Sequence, residues 1–138
     1  METYEFTGIH FLASYSGCRT NLSNVEQLKI ELKRAVESSG ATILGQIDHI
    51  FESQCFPPEN GYTSVFVLSE SHASIHTYPD KHACFVDLFT CGDKCSYVPF
   101  DSILKNYLQP SAVSYQVIKR DADVKIMAHQ KIFNIGHT

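Results

Sequence analysis

Residues 64–91 read SVFVLSESHASIHTYPDKHACFVDLFTC. Three runs within this stretch predict strands: Ser64–Leu68 (SVFVL), Ser74–Tyr78 and Ala83–Phe89 (ACFVDLF). Each is rich in β-branched and aromatic residues, and Pro79-Asp80 marks a turn between the last two. Runs this close together pair as antiparallel neighbours, because parallel pairing needs a long crossover. On a strand, alternate residues share a face, so His72, Ser74 and His76 lie on one side and Ala73, Ile75 and Thr77 on the other.

Outward from this core, Thr42–Phe51 predicts another strand. The segment Glu52–Tyr62 (ESQCFPPENGY) predicts a loop from its Pro-Pro and Asn-Gly pairs. Asn24–Ser39 predicts a helix, with Val25, Leu28, Leu32, Ala35 and Val36 forming one apolar stripe. Ser23 or Asn24 caps its start, and Gly40 suits a left-handed stop. Tyr4–Tyr15 reads as an opening strand. Cys91–Tyr97 reads as a polar loop, Pro99–Leu108 as a second helix and Val113–Lys119 as a last strand; the tail from Asp121 carries no clear pattern. In the second helix Phe100, Ile103, Leu104, Tyr107 and Leu108 form the buried side. The order β-α-β-β-β-β-α-β predicts an α+β fold, a two-layer sandwich with an antiparallel sheet and helices on one face. The other face also needs cover. In so small a chain a second copy is the natural cover, so a homodimer or higher homo-oligomer joined through or beside the sheet is expected.

The 138 residues fit a single domain. With 43% hydrophobic and 19% charged residues the composition is globular. The net charge of -4 and the absence of a Lys/Arg run favour neither nucleic acid nor an anionic membrane. No signal-peptide pattern and no stretch near the roughly 18 apolar residues of a membrane span are found. A cytoplasmic location is expected. The five cysteines, Cys18, Cys55, Cys84, Cys91 and Cys95, are read as free thiols, most of them core residues.

The chemistry-bearing segment is Leu68–Asp80 (LSESHASIHTYPD). A hydroxyl with an imidazole nearby is what nucleophile activation needs, yet no Gly-x-Ser-x-Gly elbow surrounds the serine. Metal is not expected. On a strand His72 and His76 stand about 13 Å apart at roughly 3.3 Å per residue, and Cys91 and Cys95 form no Cys-x-x-Cys pair.

Glu-Ser-His-x-x-Ile-His-Thr-Tyr-Pro, followed by Val-Asp-Leu-Phe-Thr-Cys-Gly, resembles the core signature of the prokaryotic S-adenosylmethionine decarboxylases. Gly8-Ile9-His10 resembles that family's opening strand, and Glu37–Thr42 resembles the end of its first helix. The likeness runs over residues 4–110. It implies a pyruvoyl-dependent, self-cleaving carboxy-lyase of polyamine biosynthesis acting on a small-molecule substrate. The chain would be cut between Glu70 and Ser71 into a β chain (1–70) and an α chain (71–138). Ser71 would attack the Glu70 carbonyl to give an ester, elimination would leave a dehydroalanine, and this would tautomerise and lose ammonia to leave a pyruvoyl group in place of Ser71. By the same resemblance His76 handles protons in processing, which suits an imidazole at neutral pH. The pyruvoyl carbonyl forms a Schiff base with the substrate and acts as electron sink, and Cys91 reprotonates the product. The family's fold is an α/β sandwich whose protomers pair to make two shared active sites.

The substrate region departs from the family. Ser14 stands where an acid is usual, the Glu52–Tyr62 loop is longer, Thr63 replaces a serine, and Asp80 replaces a glutamate. An adenosyl group would need an aromatic slot, which Phe51 and Tyr78 can supply. Arginine or ornithine, the alternative substrates within the family, would need a carboxylate from Glu52, Glu59 or Asp80. Glu70 is a further substrate-side candidate. A different class, an unprocessed regulatory subunit, is disfavoured by the presence of Ser71, His76 and Cys91 together.

Overall fold

A computed structural model describes residues 7–91 and 93–123, together with 133–137 as a strand. The elements in chain order are β1 (Thr7–Ser16), α1 (Val25–Ser38), β2 (Ile43–Glu52), β3 (Asn60–Leu68), β4 (His72–Tyr78), β5 (Ala83–Cys91), α2 (Tyr97–Leu108), β6 (Ala112–Asp121) and β7 (Phe133–His137). Among the described residues these strands form one seven-stranded sheet, ordered β2-β3-β4-β5-β1-β6-β7. Every neighbouring pair is antiparallel. The predicted α+β sandwich is the fold observed.

The helices cover one face. In α1 the stripe Val25, Leu28, Leu32, Ala35 and Val36 is buried as predicted, and Asn24 caps the helix by accepting from the Gln27 amide. Phe11 of β1 stacks on Tyr97 at 4.9 Å and meets Phe100 edge-on at 6.1 Å, which seats α2 on the centre of the sheet. Tyr15 donates to Asp101 at 2.6 Å. Burial, reinforced by that carboxylate, pushes the Tyr15 hydroxyl far up, so it remains a neutral donor. Of the five cysteines Cys18 and Cys84 are core residues, whereas Cys55, Cys91 and Cys95 are half-buried, so fewer lie in the core than expected. Burial raises the Cys18 thiol to about 11 and the Cys84 thiol well above its usual value.

Several boundaries shift, each for a local reason. The second helix begins at Tyr97 and not at Pro99, because Ser96 accepts from the Val98 amide as a cap and proline is tolerated in a first turn. The loop predicted over Glu52–Tyr62 is shorter, since β3 begins at Asn60. Gly61 allows this: a Cβ there would sit 2.3 Å from the Phe51 ring, so only glycine lets that ring lie across the strand. The unpatterned tail contributes β7, which pairs with β6 from Gln116 back to Ala112. Residues 4–6 of the predicted opening strand lie outside the described residues.

Among the described residues no helix lies over the second face. It carries Ile47, Val65, Val67, Tyr78 and Phe85, all exposed. Among the described residues no helix is long and apolar enough to cross a membrane.

The two faces of α1 give a direct test of this core. Leu32→Ala should cost about 2–5 kcal/mol, the usual loss for a buried leucine. Ile30→Ala, at a position 60% exposed, should change stability by less than about 0.5 kcal/mol. Urea unfolding of both variants measures the difference.

Candidate active site

Gly40 ends α1 with a φ of 95°, a left-handed conformation that glycine adopts freely. A Cβ on it would stand 3.0 Å from the Lys94 carbonyl oxygen, so the absence of a side chain also lets the β5–α2 loop pass close by. The Ser96 amide donates to the Ser39 carbonyl at 2.9 Å and locks that contact. On the other side, the Ser69 amide donates to Thr42 at 3.2 Å, bringing the β3–β4 turn against the same place.

These contacts border a half-open cavity of about 190 Å³. Glu70, Ser71 and Cys91 line it, with Gly40, Lys94 and Cys95 around them. The turn is tight: the Leu68 amide donates to the Ser71 carbonyl at 3.0 Å. The lining is mutually close. Burial, then the Cys91 thiol and the Glu70 carboxylate, push the Cys95 thiol above its ordinary value, while Lys94 opposes them.

His76 is not in this cavity. Its side chain lies on the open face, as the alternation of β4 predicts, where its Nδ1 is 3.2 Å from Thr63 Oγ1. Five residues of strand separate it from Ser71, about 16 Å at 3.3 Å per residue. The strand register sets His49, Thr63, His76, Phe85, Ser14 and Ser114 in one row across the open face. Beside that row the Phe51 and Tyr78 rings meet at 5.9 Å, and Tyr78 meets Phe85 at 5.5 Å. Phe51 and Tyr78 therefore group with His76. Asp80 sits in the single 3-10 turn Pro79–Lys81, and Glu59 sits in the β2–β3 loop, where its amide donates to Ser53 Oγ at 3.0 Å. Neither lines the cavity.

Two features escape a reading of the sequence. Lys94 and Cys95 line the cavity only because the loop folds back onto Gly40. The second is a cluster on the open face around Asp87. Its carboxylate accepts from His10 at 2.7 Å, from His72 at 2.9 Å and from Ser74. Burial pushes the Asp87 carboxyl up, but the hydrogen bonds from His10, Ser74 and His72 outweigh it and hold the group at about 2. The only local signal was the alternation that put His72 and Ser74 on one face.

Known proteins share this architecture. A family model described as S-adenosylmethionine decarboxylase matches residues 9–121. The S-adenosylmethionine decarboxylase proenzyme of Thermosipho melanesiensis is 36% identical over 107 residues, spanning 77% of this chain and 78% of that protein. The proenzyme of the same name from Methanococcus maripaludis is 35% identical over 116 residues, spanning 82% and 88%. The crystal structure of the adenosylmethionine decarboxylase from Aquifex aeolicus superposes with a TM-score of 0.68 at 28% identity, covering 83% of this chain and 90% of that one. With a family model spanning the whole sheet from β1 to β6 and relatives matched over most of their length, the chain belongs to the S-adenosylmethionine decarboxylase family and is a decarboxylase, a carboxy-lyase.

Proposed function

We propose that this chain is a cytoplasmic, self-cleaving decarboxylase of S-adenosylmethionine, serving polyamine biosynthesis, with a pyruvoyl group made from Ser71. The observation that carries the reading is the cavity in which the Glu70-Ser71 peptide and the Cys91 thiol meet. The residues fit the group: Ser71 lies in a tight turn at the edge of a half-open cavity, and Cys91 lines the same cavity. Bound there, a pyruvoyl group supplies a carbonyl that takes up a substrate amine and draws off electrons as carbon dioxide leaves.

The chain's own residues divide the remaining tasks. Ser71 Oγ attacks the Glu70 carbonyl carbon, the C–N bond breaks, and the hydroxyl proton ends on the freed nitrogen. A base then removes the Ser71 α-proton, the ester leaves as the Glu70 carboxylate, and the dehydroalanine that remains tautomerises to an imine that water hydrolyses with release of ammonia. The Cys91 thiol, on the wall of the cavity that Ser71 lines, returns a proton to the product carbon. Phe51 and Tyr78 provide ring surfaces for an adenosyl group, which supports S-adenosylmethionine over arginine or ornithine. The relatives' names point the same way.

His76 is the proton-handling residue, and the separation of about 16 Å along β4 means it serves the Ser71 of a second copy. Large apolar residues exposed on the open face, among them Ile47, Val67 and Phe85, support a homodimer joined through that face. The Ser74–Asp87 register pair lies between the two ends of the site. A two-fold axis across the strands at this level would lay the His76 end of one sheet over the Ser71 end of the other. Each site would then draw Ser71 and Cys91 from one copy and His76 and Thr63 from the other.

Denaturing mass spectrometry of the purified protein should show two fragments split at Glu70-Ser71, the second blocked at its first residue. An intact chain after long incubation would sink the reading. Ser71→Ala should remain uncut, and Cys91→Ala should be cut yet release carbon dioxide from S-adenosylmethionine at least about 100-fold more slowly. Arginine and ornithine, assayed beside it, should release none.

Mixed dimers test the shared site. His76→Ala alone should be cut poorly. Co-expressed with Ser71→Ala, which supplies an intact His76, the His76→Ala chain should be cut at close to the normal rate. No gain on mixing would place His76 and Ser71 of one chain in the same site.

A further inference from the structure

None of the steps above uses Asp87, although its carboxylate gathers three side-chain donors. Oδ2 accepts from His10 Nε2 of β1 at 2.7 Å and from His72 Nε2 of β4 at 2.9 Å, and Oδ1 accepts from Ser74 Oγ. An ionised carboxylate only accepts, so both imidazoles donate through Nε2. Packing fixes the rings a second time. They meet edge to face at 5.6 Å, and each lies against Phe89, at 5.5 Å for His10 and 5.9 Å for His72. His72 is thus held at ring and backbone, although its side chain is 43% exposed.

His72 follows Ser71 directly, and adjacent Cα atoms are about 3.8 Å apart. Holding His72 holds the peptide to which the Ser71 carbonyl belongs. That carbonyl also accepts from Leu68, and the Ser69 amide is tied to Thr42. The Glu70-Ser71 bond lies between these anchors. For the hydroxyl to reach the preceding carbonyl carbon, the Ser71 torsions must stay in a narrow range, because attack needs the atoms within about 3–3.5 Å and aligned.

We propose that Asp87 is a positioning residue for self-cleavage: through His72 it fixes the backbone on the carboxyl side of the Glu70-Ser71 bond, so that Ser71 Oγ is aimed at the Glu70 carbonyl carbon. This rests on the self-cleavage reading above. The bond that forms is Oγ–C and the bond that breaks is C–N, with the hydroxyl proton passing to nitrogen. Asp87 touches none of these atoms.

The test times the appearance of the two fragments in freshly purified precursor, on denaturing gels and by intact mass, with Tm and sedimentation measured in parallel. Asp87→Ala and His72→Ala should slow cleavage at least about 30-fold, the scale of a misplacement under 1 Å. Asp87→Asn should stay within about fivefold, because its carbonyl can accept from His72 while its amide donates to Ser74. His72→Gln, whose amide can still donate to Asp87, should behave likewise. His10→Ala should lower Tm yet leave cleavage within about threefold, since His72 remains bonded. Cleavage rates that follow Tm across the five variants would reduce the cluster to a structural role and overturn the proposal. So would normal cleavage in Asp87→Ala, or slowing that accompanies loss of the dimer. The ligand atoms of His10, His72 and Asp87 lie within 4.8 Å of one another, so the wild type is also timed in EDTA. An unchanged rate supports positioning, whereas a loss restored by zinc would overturn it in favour of a metal site. A wild-type chain that never cuts fails the self-cleavage reading itself, and that outcome differs from normal cutting in the variants.

Discussion

Ala73, Ile75 and Thr77 are fully buried beneath the helices, and this fixes everything else that β4 carries. Side chains alternate with a period of two, so burying these three forces His72, Ser74 and His76 onto the open face. A slip of one residue would exchange the two sets, placing imidazoles in an apolar core. The buried polar member of the set is provided for, since Thr77 Oγ1 accepts from the Tyr62 amide at 3.0 Å. The neighbours repeat the constraint. Tyr62, Phe66 and Leu68 of β3 and Val86 and Leu88 of β5 are buried on the same side. Hydrophobic burial therefore places the polar chemistry, because the residues that bind and react occupy what the core leaves over.

In the proposed dimer, that distribution would make one copy of the chain hold two half-sites. The cavity with Ser71 and Cys91 is built where α1 ends and the β3–β4 turn meets the β5–α2 loop. The row holding His76 and Thr63, with the aromatic pair beside it, lies toward the opposite end of the same strands. No local rearrangement joins them, because β4 is internal and hydrogen-bonded along both edges. A second sheet laid on the open face would join them and cover exposed apolar side chains at the same time.

Legibility in the sequence followed the range of the interaction. Periodicity gave both helices and the six strands before the tail, because burial imposes a repeat on neighbouring residues. The start of β3 was hidden because Gly61 fits the Phe51 ring ten residues away, a contact no local pattern announces. The start of α2 was hidden because a cap at Ser96 outweighs a proline that punctuates more visibly. Ser71, His76 and Cys91 were singled out through the resemblance, and the face of His76 was legible through alternation alone. Their division between two ends of the sheet needed the register. The Asp87 cluster joins three strands across as many as 77 positions of sequence, so only the folded sheet assembles it. Ser14, where the family carries an acid, falls in the row of His76 with Phe85 and Ser114 as neighbours. The departure is thus on the open face and not in the cavity, and it bears on what the site binds more than on how Ser71 is aimed.

The place proposed for the cut also suits the topology. Glu70-Ser71 sits in a hairpin turn between two internal strands, β3 flanked by β2 and β4, and β4 flanked by β3 and β5. Cutting there removes no ladder hydrogen bond and exposes no buried side chain. The cost is confined to the turn, whose closure entropy is small for so short a connection. A cut inside a strand would leave two frayed ends, and a cut beside an edge strand would free that strand to leave the sheet. In this turn the new end at residue 71 stays in register, because β4 is paired on both sides and His72 is bonded to Asp87. If the chain breaks itself to become active, as proposed, it can do so here without loosening the fold that aims the broken end.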